Sequence, residues 1–174
     1  MKKLIFTIVV VVMFSFVASA KTYTASKACI EHIKKYESCS LISYPDANGY
    51  SIGWGHHTTD VKPNQRITQK QADKYLAKDI KTAEKYANLL IKSLPYRFNF
   101  SQGFFDGLVS LVYNCGYGGV KSTKFYSALN RCRVKNGAMN ENDFSYTVSF
   151  VKNTNITANG HKARRHAEMK MMLK

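Results

Sequence analysis

The chain has 174 residues, enough for one domain with a substantial core, and its length argues against several domains. Its 26 lysine and arginine residues outnumber 11 acidic residues, so the formal net charge is +15 at pH 7. This charge favours an anionic partner, although a solvated cationic surface without any partner would give the same value. No internal repeat, low-complexity tract or Pro/Gly-rich linker divides the chain.

The first 20 residues are typical of a secretory signal peptide. Two lysines precede an apolar run at 4–17, and Ala-Ser-Ala at 18–20 forms a small-x-small cleavage site. The run is shorter than the about 20 residues that a membrane-spanning helix needs; an uncleaved membrane-release signal is the alternative. We predict a signal peptide over 1–20 and a domain over 21–174, secreted or periplasmic after cleavage near Ala20.

The predicted export restricts the anionic partners that the positive charge suggests to those an exported protein would meet. Loss of the two leader lysines lowers the formal charge from +15 to +13. Cell-wall polymers and outer-leaflet lipids offer anionic surfaces outside the cell, whereas nucleic acid fits the export route poorly. We expect anionic cell-wall polymers as partners, no nucleic acid, no stable membrane insertion, and a monomer.

The domain contains four cysteines, namely Cys29, Cys39, Cys115 and Cys132. An even number of cysteines in an exported chain predicts two disulfides, and four cysteines allow three pairings. A Cys29–Cys39 bridge is disfavoured because these residues flank one predicted helix. The other two pairings remain open, and the spacings fit no zinc-binding pattern.

The N-terminal part of the domain is predicted to form a helix followed by a β-hairpin. Ser26 is a candidate N-cap, three apolar residues follow at helical spacing, and the helix is expected to end near Glu37. Pro45 and the glycines at 49–55 then exclude a helix.

Asn48-Gly49 predicts a two-residue hairpin turn, because both central positions of such a turn need positive φ. This turn would pair Ala47 with Tyr50 and Asp46 with Ser51. The resulting alternation gives one apolar, half-buried face and one polar, open face. The apolar face comprises Pro45, Ala47, Tyr50, Ile52 and Trp54, and the open face comprises Tyr44, Asp46, Ser51, Gly53 and Gly55.

The rest of the chain is predicted to be helical. Thr68-Gln69-Lys70-Gln71 is a capping box that begins a long helix over 69–92, which ends before Pro95. A helix with its body at 104–113 is apolar on nearly all sides, so it should be buried. Shorter helices are predicted over 123–133, 141–151 and 161–173.

The last predicted helix is strongly basic. Such a helix could act on membranes. Ala163, Ala167 and Met171 form an apolar face, which favours packing on the helical lobe instead. The predicted fold class is α+β and mostly helical, with a small N-terminal β lobe joined to a helical C-terminal lobe by the 69–92 helix.

Two carboxylates and a hydroxyl are expected near the hairpin. Glycoside hydrolysis needs one protonated and one ionised carboxyl group beside the scissile bond. Glu37 would donate the proton, and Asp46 would polarise a water that Ser51 orients. The alternative is a turn in which Asp46 caps a backbone amide and Ser51 has no role.

These residues resemble the phage-type lysozymes, glycoside hydrolase family 24. Glu37, Asp46 nine residues later and Ser51-Ile52-Gly53-Trp54-Gly55-His56 are similar to the family's Glu, Asp and Thr-Ile-Gly-Tyr-Gly-His. The similarity covers about 26–173. Its further motifs are Ile67-Thr68 through Asp79, Ser101-Gln102, Phe105-Asp106, Leu108-Val109-Ser110, Tyr113-Asn114-Cys115-Gly116, Ser122-Thr123 through Leu129-Asn130, and Gly160 with Arg164-Arg165 and Glu168.

The resemblance implies a two-lobed lysozyme fold and a muramidase that cleaves the β-1,4 bond between N-acetylmuramic acid and N-acetylglucosamine of peptidoglycan, without a cofactor. It implies Glu37 as the general acid and Asp46 with Ser51 as the water-handling pair. In this chain Ser replaces the usual Thr, and the interval from Asp to the hydroxyl residue is five residues instead of six. Positions that line the sugar cleft in the family are occupied here by His57, Tyr113, Asn114 and Ser122.

The resemblance places His56 at the hinge side of the β lobe and Asp79 on the long helix, and an ion pair is expected between them. In the basic C-terminal segment, either Arg164 or Arg165 is expected to reach a carboxylate near Glu37. Adjacent ligands in a glycine-flanked loop make a poor zinc site, so no metal is expected at His56, His57 and Asp60.

Two other functions remain open on the sequence. A lytic transglycosylase would cleave the same bond without water, using one acidic residue. A non-enzymatic cationic module would bind the wall or a membrane and would not need Glu37.

Overall fold

The computed structural model describes residues 21–46, 48–132, 134–135, 138–139, 141–154 and 159–174. The predicted signal peptide lies outside the described residues. The elements in chain order are α1 (Lys27–Glu37), β1 (Ser40–Asp46), β2 (Gly49–Gly53), β3 (His56–His57), α2 (Gln69–Lys92), α3 (Gln102–Lys121), α4 (Lys124–Arg131), β4 (Val134–Lys135), β5 (Ala138–Met139), α5 (Glu141–Ser149), a 3₁₀ turn (Phe150–Asn153) and α6 (Asn159–Met172). The predicted fold class is confirmed.

Side-chain caps set the beginnings of the first two helices, as predicted. The Ser26 hydroxyl accepts from the Cys29 backbone N–H at 3.3 Å and starts α1. Thr68 and Gln71 form the predicted capping box at the start of α2. This helix ends at Lys92, before Pro95. Within the described part of the chain, no helix is long and apolar enough to cross a membrane.

Helix α3 lies at the centre of the helical lobe. Every residue from Phe104 to Val112 is buried, which confirms the expectation of a helix enclosed on nearly all sides. It packs against α2 and α6 on two sides and contacts α1. At Gly116 the backbone leaves helical geometry, with φ 69° and ψ 167°, and the helix resumes afterwards.

The predicted register of the hairpin is wrong by two residues. Asp46 pairs with Gly49, Pro45 with Tyr50, and Tyr44 with Ser51. Gly49 belongs to β2 and lacks the positive φ that the predicted turn requires. Since a shift of two residues keeps each side chain on its predicted face, Asp46 and Ser51 still share one face, but as diagonal neighbours.

The prediction of one open and one half-buried face is also wrong for β2. Ser51, Ile52 and Gly53 are all buried. The reason is that β2 is the central strand, with β1 and β3 on its two edges, and α2 covers it. A Cβ on Gly53 would lie 3.2 Å from the Cβ of Ala72 on α2. The small sheet is therefore fixed directly on the long helix.

Helix α6 packs on the helical lobe, but not by the face that the sequence predicts. Ala163 is exposed, and Ala167 and Met171 are only partly buried. The inward face instead consists of Arg164, Arg165, Glu168 and Met172. The apolar residues alone therefore predict the wrong inward face for α6, because this helix buries charged side chains that neutralise one another.

The expectation of two disulfides is contradicted, since all four cysteines are free thiols. Their sulfur atoms contact different groups in different parts of the fold. Cys29 donates to the Asp106 carbonyl, Cys39 contacts Gln69, Cys115 contacts Asn114 and Arg165, and Cys132 contacts Thr147.

The C-terminal third contains one element that the sequence did not indicate, the short antiparallel hairpin of β4 and β5. The predicted helix at 141–151 ends at Ser149 and continues as the 3₁₀ turn.

Candidate active site

The Glu37 carboxyl lies at the C-terminal end of α1, and among the described contacts it is held through one oxygen. Arg164 of α6 donates from Nη1 to Glu37 Oε1. The other oxygen, Oε2, faces Gly55: a Cβ built on that residue would lie 3.1 Å from it. The Glu37 side chain is 16% accessible, and no hydrogen bond to Oε2 is formed by the part of the chain that the structure describes.

Arg164 connects Glu37 to a buried network. Its Nε donates to Glu168 Oε1 at 3.1 Å, and that same oxygen accepts from the Ser110 hydroxyl at 2.6 Å. Burial acts to lower the pKa of Arg164, but the Glu37 and Glu168 carboxylates outweigh it and raise the pKa. The sequence left open which arginine approaches Glu37, and the structure identifies Arg164.

Asp46 and Ser51 are in direct contact. The Ser51 hydroxyl donates to Asp46 Oδ2 at 2.6 Å, and Ser51 Oγ lies 3.1 Å from His57 Nδ1. Ser51 is fully buried in the central strand, whereas Asp46 at the end of β1 is exposed. The carboxylate therefore has a fixed hydroxyl on one side and solvent on the other.

Tyr44 lies in the field of both carboxylates. Its burial, followed by the charges of Asp46 and Glu37, raises the pKa of its phenol. At 37% exposure, it is an accessible aromatic side chain on the same face as Asp46 and Ser51. The sequence placed Tyr44 on the open face but gave it no role.

The other predicted cleft residues have different surroundings. The Tyr113 hydroxyl donates to the Trp54 carbonyl at 2.8 Å, which ties α3 to the β lobe. Asn114 Oδ1 accepts from the buried Arg165. Ser122 is exposed at the end of α3, where its hydroxyl bonds the Gly119 carbonyl at 3.0 Å. Among the described contacts, none joins Ser122 to the carboxylates.

The predicted hinge pair is confirmed. His56 Nδ1 lies 2.7 Å from Asp79 Oδ2, and the imidazole stacks on Tyr75 with ring centroids 4.4 Å apart. Trp54 Nε1 also donates to Asp73 at 2.9 Å. Residues 54 and 56 thus attach the β lobe to α2. The described residues contain no group of three or more histidine, cysteine or acidic side chains that could hold a metal ion.

Sequence reasoning gave no role to three residues around Glu37. Gly55 was assigned to the open face of the hairpin and to the family motif, but its approach to Glu37, with φ 86°, makes it part of the site. Glu168 and Ser110 are fully buried and hold Arg164 in position. The available signal was Ser110, which with Asp106 is one of two polar residues in the apolar body of α3, together with Glu168 four residues after Arg164.

The chain is similar to known proteins in sequence and in fold. The family model described as phage lysozyme matches residues 34–168. The endolysin of Bacillus phage B103 is 32% identical over 151 residues, covering 85% of this chain and 53% of that protein. The endolysin of Bacillus phage PZA is 37% identical over 112 residues, covering 63% and 42%. The chain thus spans about half the length of these curated relatives.

Solved structures with the same fold include an endolysin from Escherichia coli O157:H7 phage FAHEc1. It has a TM-score of 0.68 and 26% identity, and the match covers 89% of this chain and 96% of that one. The muramidase domain of SpmX from Asticaccaulis excentricus has a TM-score of 0.69 at 24% identity, covering 87% and 99%, and shows the fold alone.

Proposed function

This chain belongs to the phage lysozyme family, and on that premise we propose that it is a peptidoglycan hydrolase. The finer assignment is cleavage of the β-1,4 bond between N-acetylmuramic acid and N-acetylglucosamine by an exported enzyme. The supporting observation is the Glu37 carboxyl, oriented through one oxygen by Arg164 and open at the other beside Gly55.

Glu37 acts as the general acid. Its Oε2 carries the proton that passes to the leaving oxygen of the glycosidic bond. Protonation removes the negative charge that faces Arg164. Arg164 keeps Glu168 as a carboxylate partner, but Glu168 is shared with the buried Arg165. Two buried guanidiniums then face one carboxylate, so the proton on Glu37 is readily given up to the leaving oxygen.

Asp46 and Ser51 handle the water. Asp46 Oδ2 is engaged by the Ser51 hydroxyl, which leaves Oδ1 to accept a proton from an attacking water. Ser51 fixes the orientation of the carboxylate, since a buried hydroxyl on a central strand has little freedom. The serine thus supplies the hydroxyl that a threonine supplies in the family.

The test is clearance of purified peptidoglycan by wild type and Glu37→Gln. The variant keeps the shape of the side chain but cannot donate a carboxyl proton, so we expect a rate at least about 10²-fold lower. Glu31→Gln is the matched control, because Glu31 is exposed on the same helix. Near wild-type clearance by Glu37→Gln would support a non-enzymatic cationic module instead.

Product analysis separates hydrolysis from the transglycosylase alternative. Hydrolysis leaves a reducing end, whereas transglycosylation leaves an anhydromuramyl end. Asp46→Asn should lower the rate about as strongly as Glu37→Gln if water is activated. An unchanged rate together with anhydromuramyl products would assign the chain to the second reaction.

Anionic cell-wall polymers are the proposed partners of the positive surface. Helix α2 carries exposed lysines on the side away from its buried apolar residues: Lys70, Lys74, Lys78, Lys81, Lys85 and Lys92. At 3.6 residues per turn they fall within an arc of about 80°, which we call the α2 lysine stripe. The acidic residues of α2 are used elsewhere, because Asp73 binds Trp54 and Lys34, Asp79 binds His56, and Glu84 accepts from the Ala25 N–H.

The stripe leaves positive charge uncompensated. Lysines three or four positions apart repel each other by about 0.2–0.5 kcal/mol per pair. A linear polyanion would relieve that repulsion and hold the enzyme near its substrate.

A further inference from the structure

His57 approaches the water-handling pair from the strand opposite Asp46. It pairs with Ser51 across β2 and β3, so the two side chains project from the same face. The Ser51 hydroxyl thus lies between Asp46 Oδ2, at 2.6 Å, and His57 Nδ1, at 3.1 Å. The imidazole reaches the same oxygen atom that orients the carboxylate.

The donor directions along this chain of atoms are fixed by proton count. A serine hydroxyl has one proton and two lone pairs. An ionised Asp46 can only accept, so the Ser51 proton goes to Asp46 Oδ2. The second contact is a hydrogen bond only if His57 donates from Nδ1–H to Ser51 Oγ. The order is then His57 to Ser51 to Asp46.

The imidazole of His57 is within contact distance of Gly49. A Cβ at this position would be 3.4 Å from His57 Cε1 and 3.7 Å from Nε2. The ring therefore lies directly over the Gly49 backbone, next to the Asp46–Gly49 pair. Gly49 thus lies beneath the histidine within β2, and its φ is not positive.

We propose that His57 is a positioning residue, whose Nδ1–H holds the Ser51 hydroxyl in the orientation that donates to Asp46. The inference rests on the proposed function for its catalytic consequence. It gives His57 a role different from a contact with the sugar, because the nitrogen nearest the reacting groups is bonded to Ser51.

The kinetic test uses His57→Leu, His57→Asn and His57→Gln. Leucine removes the Nδ1–H donor. We expect kcat to fall about 3- to 10-fold, because this corresponds to the loss of one net hydrogen bond, and we expect KM to change little. Asparagine places an amide nitrogen where Nδ1 stands and should restore kcat, whereas the longer glutamine mimics Nε2 and should not. His166→Leu, at an exposed histidine on α6, is the control.

The coupling test separates action through Ser51 from an independent sugar contact. In a Ser51→Ala background, His57→Leu should cause no further loss of kcat. An additive loss, or a rise in KM without a change in kcat, would overturn the proposal. If wild type hydrolyses peptidoglycan and His57→Leu does so with the same kcat, this inference is wrong and the proposed function still stands.

A measurement without substrate tests the same geometry. In a ¹⁵N–¹H spectrum at pH 9, the His57 imidazole should be the tautomer protonated at Nδ1, and Ser51→Ala should change its signals. A tautomer protonated at Nε2 alone would contradict the donor order, whatever the activity of the protein.

Discussion

Replacing Gly55 with alanine tests whether the free oxygen of Glu37 is the reacting one. An added Cβ would lie 3.1 Å from Glu37 Oε2 and 3.8 Å from its Cδ. Ordinary contact is a few tenths of an ångström longer, so the carboxyl must move. Since displacement of a catalytic group by 1 Å can cost about 10²-fold, we expect kcat to fall by about tenfold.

The same substitution strains the backbone. Gly55 has φ 86°, where a side chain costs about 1–2 kcal/mol. The lower entropy of the unfolded alanine chain offsets about 0.4–1 kcal/mol of this. The net loss is about 1 kcal/mol, or about 2–4 °C in Tm for a chain of this size. A fall in activity must therefore be separated from a fall in stability.

Gly116→Ala is the matched control for strain. Gly116 has φ 69°, and a Cβ there would have no atom within 4 Å. Both variants should lose similar stability in thermal unfolding, and only Gly55→Ala should lose about tenfold in kcat at 25 °C. Wild-type kcat for Gly55→Ala, or an equal loss in both variants, would refute the assignment of Oε2.

Three further predictions follow from charges and thiols. Arg164→Met leaves Glu37 without its ion-pair partner and should lower the free energy of unfolding by about 3–5 kcal/mol in denaturant titration; a loss below about 1 kcal/mol would contradict the network. Alkylation in denaturant should modify all four cysteines, whereas native Cys29 should stay protected because burial raises its pKa to about 12; recovery of disulfide-linked peptides would show otherwise. Glutamine at Lys74, Lys78 and Lys81 should weaken adsorption to anionic walls more than glutamine at Lys27, Lys121 and Lys124, and equal weakening would mean that net charge alone matters.

Local sequence determined the beginnings of the first helices and the candidate carboxylates. The caps at Ser26 and Thr68 bond groups three residues away, so nearby residues suffice to predict them. The 3.6-residue periodicity of α2 and the burial of α3 on nearly all sides could also be predicted, because each follows from the residues of one helix. Glu37, Asp46 and Ser51 were identified by type, order and spacing.

The hairpin shows where local reasoning fails. Asn48-Gly49 carries a strong turn signal, yet the structure uses Gly49 within β2. β2 pairs with β3 as well as with β1, and the imidazole of His57 on β3 lies over Gly49. The register therefore depends on three strands, and pairing β1 with β2 alone predicts only which residues share a face.

The environment of Glu37 was decided by the tertiary structure alone. Arg164 lies 127 residues further along the chain, and the sequence predicted that Arg164 or Arg165 reaches a carboxylate near Glu37 without deciding which of the two does so. A buried arginine is stable only where carboxylates from other elements meet it, here Glu37 of α1 and Glu168 of α6 itself, with Ser110 of α3 bonded to the latter. Sequence could name the acid, but its orientation depends on partners that only folding brings together.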